Sequence, residues 1–301
     1  MSIIPSYNLL LQQNVGIPKA PETINSIERY APSNYNNHYT KPDFQPHPKY
    51  WIDNYFKMLH ILAVTFDGSI DCARAMKCMI QNLAQILPNK NASSIFKDFI
   101  LMTPSVINTM ENSDSISLNS FFVVNSDILK LIKSNPKNFF DVCFTNSELL
   151  FVWTYLLLCY YDILQNKQTD SFNSLKQKYA KDLIAKETWG NAVWFVIHHS
   201  SYYSPLVMTV EWQNAFKAFI STLQIVIPCS LCRNHLRQNL PKNDINKYIN
   251  NKHDIFKWTH SLHNIVNESC QKPTISLEDA KCIYDPYLQP FFRQNTKFSN
   301  Y

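Results

Sequence analysis

Pro228-Cys229-Ser230-Leu231-Cys232-Arg233-Asn234-His235 is followed about thirty residues later by Trp258-Thr259-His260-Ser261-Leu262-His263-Asn264-Ile265-Val266-Asn267. A close cysteine pair after a helix-breaking proline is redox or metal chemistry. In the second stretch, apolar Ile255, Phe256, Leu262, Ile265 and Val266 accompany His260, His263, Asn264 and Asn267, which recur at the three- and four-residue spacing of one helical face. Buried imidazoles and carboxamides are costly unless hydrogen-bonded, so this seam should face a polar ligand or a solvated cleft. Gly190, Trp194, His198 and Tyr202 stand four apart in a further helix expected over residues 188 to 203. Their stripe suits a flat aromatic ligand lying against the helix.

Composition narrows what such a ligand site can be. Only three glycines occur, at positions 16, 68 and 190, which excludes a Gly-rich phosphate loop or a Rossmann turn. The net charge of +5 is spread without a lysine or arginine cluster and gives no support for nucleic-acid binding. The N-terminus shows no basic region, apolar core and cleavage site, so secretion by the usual route is not expected. The most hydrophobic run, Leu149 to Tyr161, is bounded by Glu148 and Asp162; it is too short for a membrane span and predicts a buried helix.

The order Trp-Gly-x3-Trp-x3-His (from Trp189), Pro-Cys-x2-Cys-x2-His (from Pro228), Trp-x4-His-Asn-x-Val-Asn (from Trp258) and Lys272-Pro273 resembles the Erv/ALR flavin-dependent sulfhydryl oxidases, in particular those of large DNA viruses. The likeness runs from about Trp189 to Tyr284. It implies an all-α fold, a small helical bundle around FAD. It also implies thiol-containing, viral protein substrates, dioxygen as final acceptor, hydrogen peroxide as product, and action in the host cytoplasm or nucleus and in the virion. By the resemblance Cys229 and Cys232 are catalytic. Trp189, Gly190, Trp194, His198, Tyr202, His235, Trp258, His263, Asn264, Asn267 and Lys272 are the residues implied to hold the flavin. Cys229, at a helix start where thiol pKa falls, would be the sulfur attacked by substrate, and Cys232 would be released facing the flavin. Where the cellular family has a cysteine two residues after the helix tryptophan, this chain has His260, so that family disulfide is absent; Cys270 and Cys282 flank Lys272-Pro273 and are at hand for a replacement. Cys72 and Cys78, six apart on an expected helix, point different ways and should not pair.

Residues 1–48 hold seven of the sixteen prolines and should form an extended arm. Residues 49–180 read as helical, with loops near Glu111 to Ser117 and Gln165 to Ser174. Residues 181–292 form the motif-bearing domain, and 293–301 a tail. The middle region matches the motif-bearing one in order. Trp51-x4-Phe56-x3-His60 parallels Trp189-x4-Trp194-x3-His198, Ala75-x-Lys77-x2-Ile80-x2-Leu83-x4-Pro88 parallels Ala215-x-Lys217-x2-Ile220-x2-Leu223-x4-Pro228, and Phe151-x-Trp153-Thr154 parallels Phe256-x-Trp258-Thr259. Asn89 and Ala92 stand where Cys229 and Cys232 do, and Leu158, Cys159 and Asp162 where His263, Asn264 and Asn267 do. A degenerate copy forming an intrachain pseudo-dimer is the expectation, with an insertion of about 35 residues between Pro88 and Trp153. Family members dimerise through their bundles, baculovirus sulfhydryl oxidases resemble such a pseudo-dimer, and a further homodimer stays open.

Two other readings of the residues stand beside the flavin enzyme. Cys229, Cys232, His260 and His263 have the ligand types of a closed tetrahedral zinc site in a structural or interaction protein. A binding protein that keeps the fold without turnover is the third, against which the intact cysteine pair argues.

Overall fold

The computed structural model describes residues 45–180, 189–269 and 271–285. The arm up to residue 44, the segment 181–188, Cys270 and the tail after residue 285 lie outside the described residues, so the expected Cys270–Cys282 bond does as well. The last arm residues close onto the body, where Pro46 O accepts from Trp51 Nε1 at 3.2 Å and Gln45 Oε1 from Lys90 N at 2.9 Å.

Fourteen α-helices and three 3-10 turns make up the described chain, with only an isolated bridge between Val207 and Asn251 in extended pairing. In order they are α1 (Ile52–Val64), α2 (Ile70–Ile86), α3 (Lys90–Leu101), α4 (Pro104–Glu111), α5 (Ile116–Val124), α6 (Ser126–Ser134), α7 (Pro136–Val142), α8 (Ser147–Leu164), α9 (Phe172–Lys178), α10 (Trp189–Tyr202), α11 (Val210–Val226), α12 (Ser230–Asn239), α13 (Lys252–Ser269) and α14 (Leu277–Tyr284). The all-α expectation holds. Many of these segments are rich in Ile, Phe, Tyr and Asn, poor helix formers in isolation, so their stability comes from packing an apolar face and from caps. Ser69, Thr209 and Ser276 each accept a backbone N–H three residues on. The loop expected over 165 to 174 is shorter, because Ser171 caps α9 by accepting from Ser174 N at 3.2 Å. A serine in a polar run reads as loop until its hydroxyl is seen to cap.

The hydrophobic run became α8, the core helix, packed against α1 and α3 with Trp153, Tyr155, Leu156 and Leu157 all at 0% exposure. It is the one described helix long and apolar enough to cross a membrane, and most of it is buried within the fold. Cys72 and Cys78 both lie on α2 and are unbonded.

Helix lengths and local bonds recur between the two regions. Helices α2 and α11 are each 17 residues long, and α8 and α13 each 18. Asn89 caps α3 by accepting from Ala92 N at 3.0 Å; Cys229 caps α12 by accepting from Cys232 N at 3.2 Å. His60 Nδ1 meets Thr154 Oγ1 at 2.9 Å, and His198 Nδ1 meets Thr259 Oγ1 at 3.2 Å. Past α8, Asn166 has φ 52° and Lys167 N donates to Asp162 O; past α13, Gln271 has φ 54° and Lys272 N donates to Asn267 O. Between α3 and α8, helices α4 to α7 occupy the inserted stretch. The most extensive helix contact is α2 along α11, with α1 against α10 beside it.

Candidate active site

The cysteine pair sits where α11 stops. Ile227 turns extended (φ −68°, ψ 138°), Pro228 denies a continuing N–H, and Cys229 becomes the N-cap of α12 (φ −148°, ψ 106°). Cys229 and Cys232 are joined as a disulfide with Cα atoms 5.3 Å apart, within the usual span. Arg233 Nη1 donates to Ile227 O at 2.7 Å and fixes the turn. Both sulfurs belong to half-buried residues, whereas Leu231 between them is 54% exposed.

Behind the disulfide lies an apolar cleft. Its walls are Trp189, Val193, Trp194 and Ile197 of α10, Leu223 of α11, Ile227, Leu231, Cys232, His235 and Leu236 around α12, and Val266 of α13. Cys232 lines it and Cys229 does not. Sequence reasoning found Trp189, Trp194, Cys232 and His235 but missed the aliphatic wall; a Leu or Val of a buried helix carries no signal that distinguishes a ligand wall from ordinary core.

One side of the cleft is backed by stacked rings. Trp194 lies on His263 with centroids 3.9 Å apart and planes 5° from parallel, and on His198 at 5.6 Å and 25°. His198 Nε2 is 2.8 Å from His263 Nδ1, its other nitrogen being held by Thr259. Burial, followed by the neighbouring His263 and His260, drives His198 well below the usual histidine range. Burial, then His260 and Lys272, lowers His263 to about 3. Both imidazoles are therefore neutral near pH 7. Asn267 is 2% exposed and its Nδ2 has no hydrogen-bond partner, as is also true of Asn191 Oδ1. Asn267 directly follows Val266 of the cleft wall, and a buried amide left open there can receive the polar edge of a planar ligand.

The polar seam of α13 divides. His263 turns to Trp194 and His198 of α10, whereas His260 and Asn264 clamp the chain before α14: Asn264 Nδ2 donates to Ile275 O at 3.0 Å, Asn264 Oδ1 accepts from Ile275 N at 3.3 Å, and His260 Nε2 lies 2.7 Å from Ile275 O. Trp258 and Tyr202 also have protein partners, Trp258 Nε1 donating to Asn243 O at 2.9 Å and Tyr202 Oη to Asp285 Oδ2 at 3.1 Å. Gly190 is buried in the first turn of α10 and Lys272 follows α13, half-buried. The zinc reading fails: no three His, Cys, Asp or Glu residues converge among the described residues. Two of its four expected ligands are spent on a disulfide, and the two histidines face different elements.

Fold and site together define an all-α bundle carrying a Cys-x2-Cys disulfide at the mouth of an aromatic-walled cleft. The chain belongs to the Erv1/Alr family, whose sequence profile matches residues 191–285. It is 32% identical over 100 residues to the FAD-linked sulfhydryl oxidase of African swine fever virus isolate Tick/Malawi/Lil 20-1/1983, covering 32% of this chain and 80% of that protein. The protein of the same name from isolate Pig/Kenya/KEN-50/1950 is 31% identical with the same coverage. A Frog virus 3 protein with FAD-linked sulfhydryl oxidase in its name is 30% identical over 121 residues, 37% of this chain and 80% of that protein. No solved structure gives a significant match.

Proposed function

We propose that this protein is a FAD-linked sulfhydryl oxidase that forms disulfides in thiol-containing, viral protein substrates through Cys229 and Cys232. The observation that carries the reading is the position of Cys232 in the wall of the cleft, with Cys229 outside it. When bound, FAD supplies a ring that takes up two electrons from a dithiol and yields them to dioxygen, giving hydrogen peroxide. The residues fit such a group: an apolar slot, the Trp194–His263 stack and the open Asn267 amide are what a flat ring with a polar edge requires.

The chain's own residues perform the exchange. A substrate thiolate attacks Cys229 Sγ, a mixed disulfide forms, and Cys232 leaves as a thiolate beside His235. A second substrate thiolate attacks the substrate sulfur of that bond, so the substrate leaves as a disulfide and Cys229 as a thiol or thiolate. The helix N-terminus favours the charged sulfur at each stage. Neutral His198 and His263 hold the cleft wall without placing a charge in it. In this reading Trp189, Trp194 and His235 of the cleft wall, with His263, Asn267, Gly190 and Lys272, would hold the cofactor, and His198, Tyr202, Trp258 and Asn264 would hold those groups in register.

Residues 181–292 are the catalytic unit in this proposal, and residues 49–180 are a degenerate copy seated where a second subunit would be. The reciprocal pairing of α1 with α10 and α2 with α11, and the repeated caps and histidine–threonine bonds, support it. Purified protein with a flavin absorbance band and thiol-dependent oxygen consumption is the expected result. Colourless protein that consumes no oxygen with dithiols, after FAD is supplied, would overturn the reading.

A further inference from the structure

We infer that the buried contact of Tyr55 with His199 and Ser200 is a pairing lock that makes the second half of the chain select the first half over another copy of itself. The inference rests on reading residues 49–180 as an internal partner. Tyr55 Oη lies 2.7 Å from Ser200 Oγ and 3.3 Å from His199 Nδ1, with all three residues at 0–1% exposure. The His199 ring also packs on Trp51, with centroids 5.4 Å apart, and on Phe195 at 5.2 Å and 13°. Burial raises the Tyr55 phenol and lowers His199 to about 3, so the lock consists of neutral groups sharing one hydroxyl.

The matched helices place Val193 at the position of Tyr55, Ile61 at that of His199 and Leu62 at that of Ser200. The matched positions are thus polar on one side of the helix pair and apolar on the other: Ile61, Leu62 and Val193 are buried at 1–4% exposure, Val193 also lining the cleft. Two second halves brought together would set Val193 against His199 and Ser200 on both sides. Each would leave buried polar atoms unsatisfied, whereas the native pairing satisfies them with Tyr55. The surface is thus specific for a partner that brings a phenol at this point of its first helix.

The test is a set of full-length variants: Tyr55→Phe, Ser200→Ala, the two combined, and the triple Tyr55→Val/His199→Ile/Ser200→Leu. Melting temperature, mass in solution over a concentration series and flavin absorbance are read for each. Tyr55→Phe is expected to lower melting by roughly 2–6 °C, and the double variant by less than the sum of the single ones. The triple variant should recover most of that loss and form more dimer than the native protein as concentration rises, because both sides of the interface are then apolar. Unchanged melting in Tyr55→Phe, strict additivity in the double variant, or a stable triple variant with the native mass throughout would each overturn the lock. Flavin content and thiol oxidation are scored separately, so failure of the oxidase reading leaves the melting and mass results to decide the lock.

Discussion

Trp194 and His263 lie face to face with ring centroids 3.9 Å apart, and His263 reaches past the indole to His198 at 2.8 Å. The wall of the cleft is therefore one stacked unit drawn from α10 and α13, and disturbing either ring disturbs the slot.

His263→Ala and Asn267→Ala should each lower FAD occupancy and melting temperature together, since a ligand that binds only the native state stabilises it. Flavin absorbance per chain and a thermal scan with and without added FAD measure this. Retained flavin with unchanged melting would mean the wall faces something else.

Cys229→Ala and Cys232→Ala should each abolish turnover of a model dithiol and leave FAD bound. Cys72, Cys143, Cys159 and Cys282 are buried, and burial pushes their thiols up, to about 11 for Cys72 and about 12 for Cys159 and Cys282. Alanine at any of these four should change stability far more than rate. Oxygen-electrode assays on the six variants decide it.

FAD should bind at one equivalent per chain. Where the second half has Trp194, Leu236 and Val266 around its cleft, the first has Phe56, Phe96 and Tyr161, with Phe56 at 5.6 Å from each of the other two rings. Leu158 stands where His263 does, so the polar ring that stacks on Trp194 in the second half has no counterpart in the first. A flavin-to-protein ratio of two would refute this.

Thr154→Val and Thr259→Val remove the same bond in the two halves and should part in their effects. Each should cost about 1–3 kcal/mol through a buried imidazole nitrogen left unmet. Only Thr259→Val should also reduce FAD occupancy, because its histidine, His198, supports the cleft wall. Chemical unfolding together with flavin titration separates the two.

Stability should fall as pH drops below about 6.5. His60, His199 and His263 have folded values lowered to about 3, by burial first. The unfolded chain therefore takes up protons in this window that the native one refuses, and the stabilisation is lost progressively as pH falls toward 3. Asp162 works the other way, its carboxyl pushed up to about 6 by burial, but it is one group against three. Unfolding midpoints between pH 4 and pH 7 should show a positive slope that shrinks in His199→Leu.

The sequence alone determined the helical class, the ends of the helices around the motifs, and the place of the cysteine pair at a helix start. Those are local matters: Pro228 stops a helix wherever it is packed, Ser276 caps one, and the spacing of Trp189, Trp194 and His198 puts them on one face in any surroundings. The identity of the flanking neighbours was decided by tertiary structure. On α13, His260 and His263 are only about 60° apart around the axis, so they read as one seam; α10 takes His263, and the Ile275 segment takes His260 and Asn264. The contact of Tyr55 with His199 and Ser200 was equally invisible, as was the packing of Phe96 and Tyr161 on Phe56. Each depends on side chains from separate helices meeting in space, and neither a phenol nor a phenylalanine on an apolar helix face carries in its local sequence the partner it will meet.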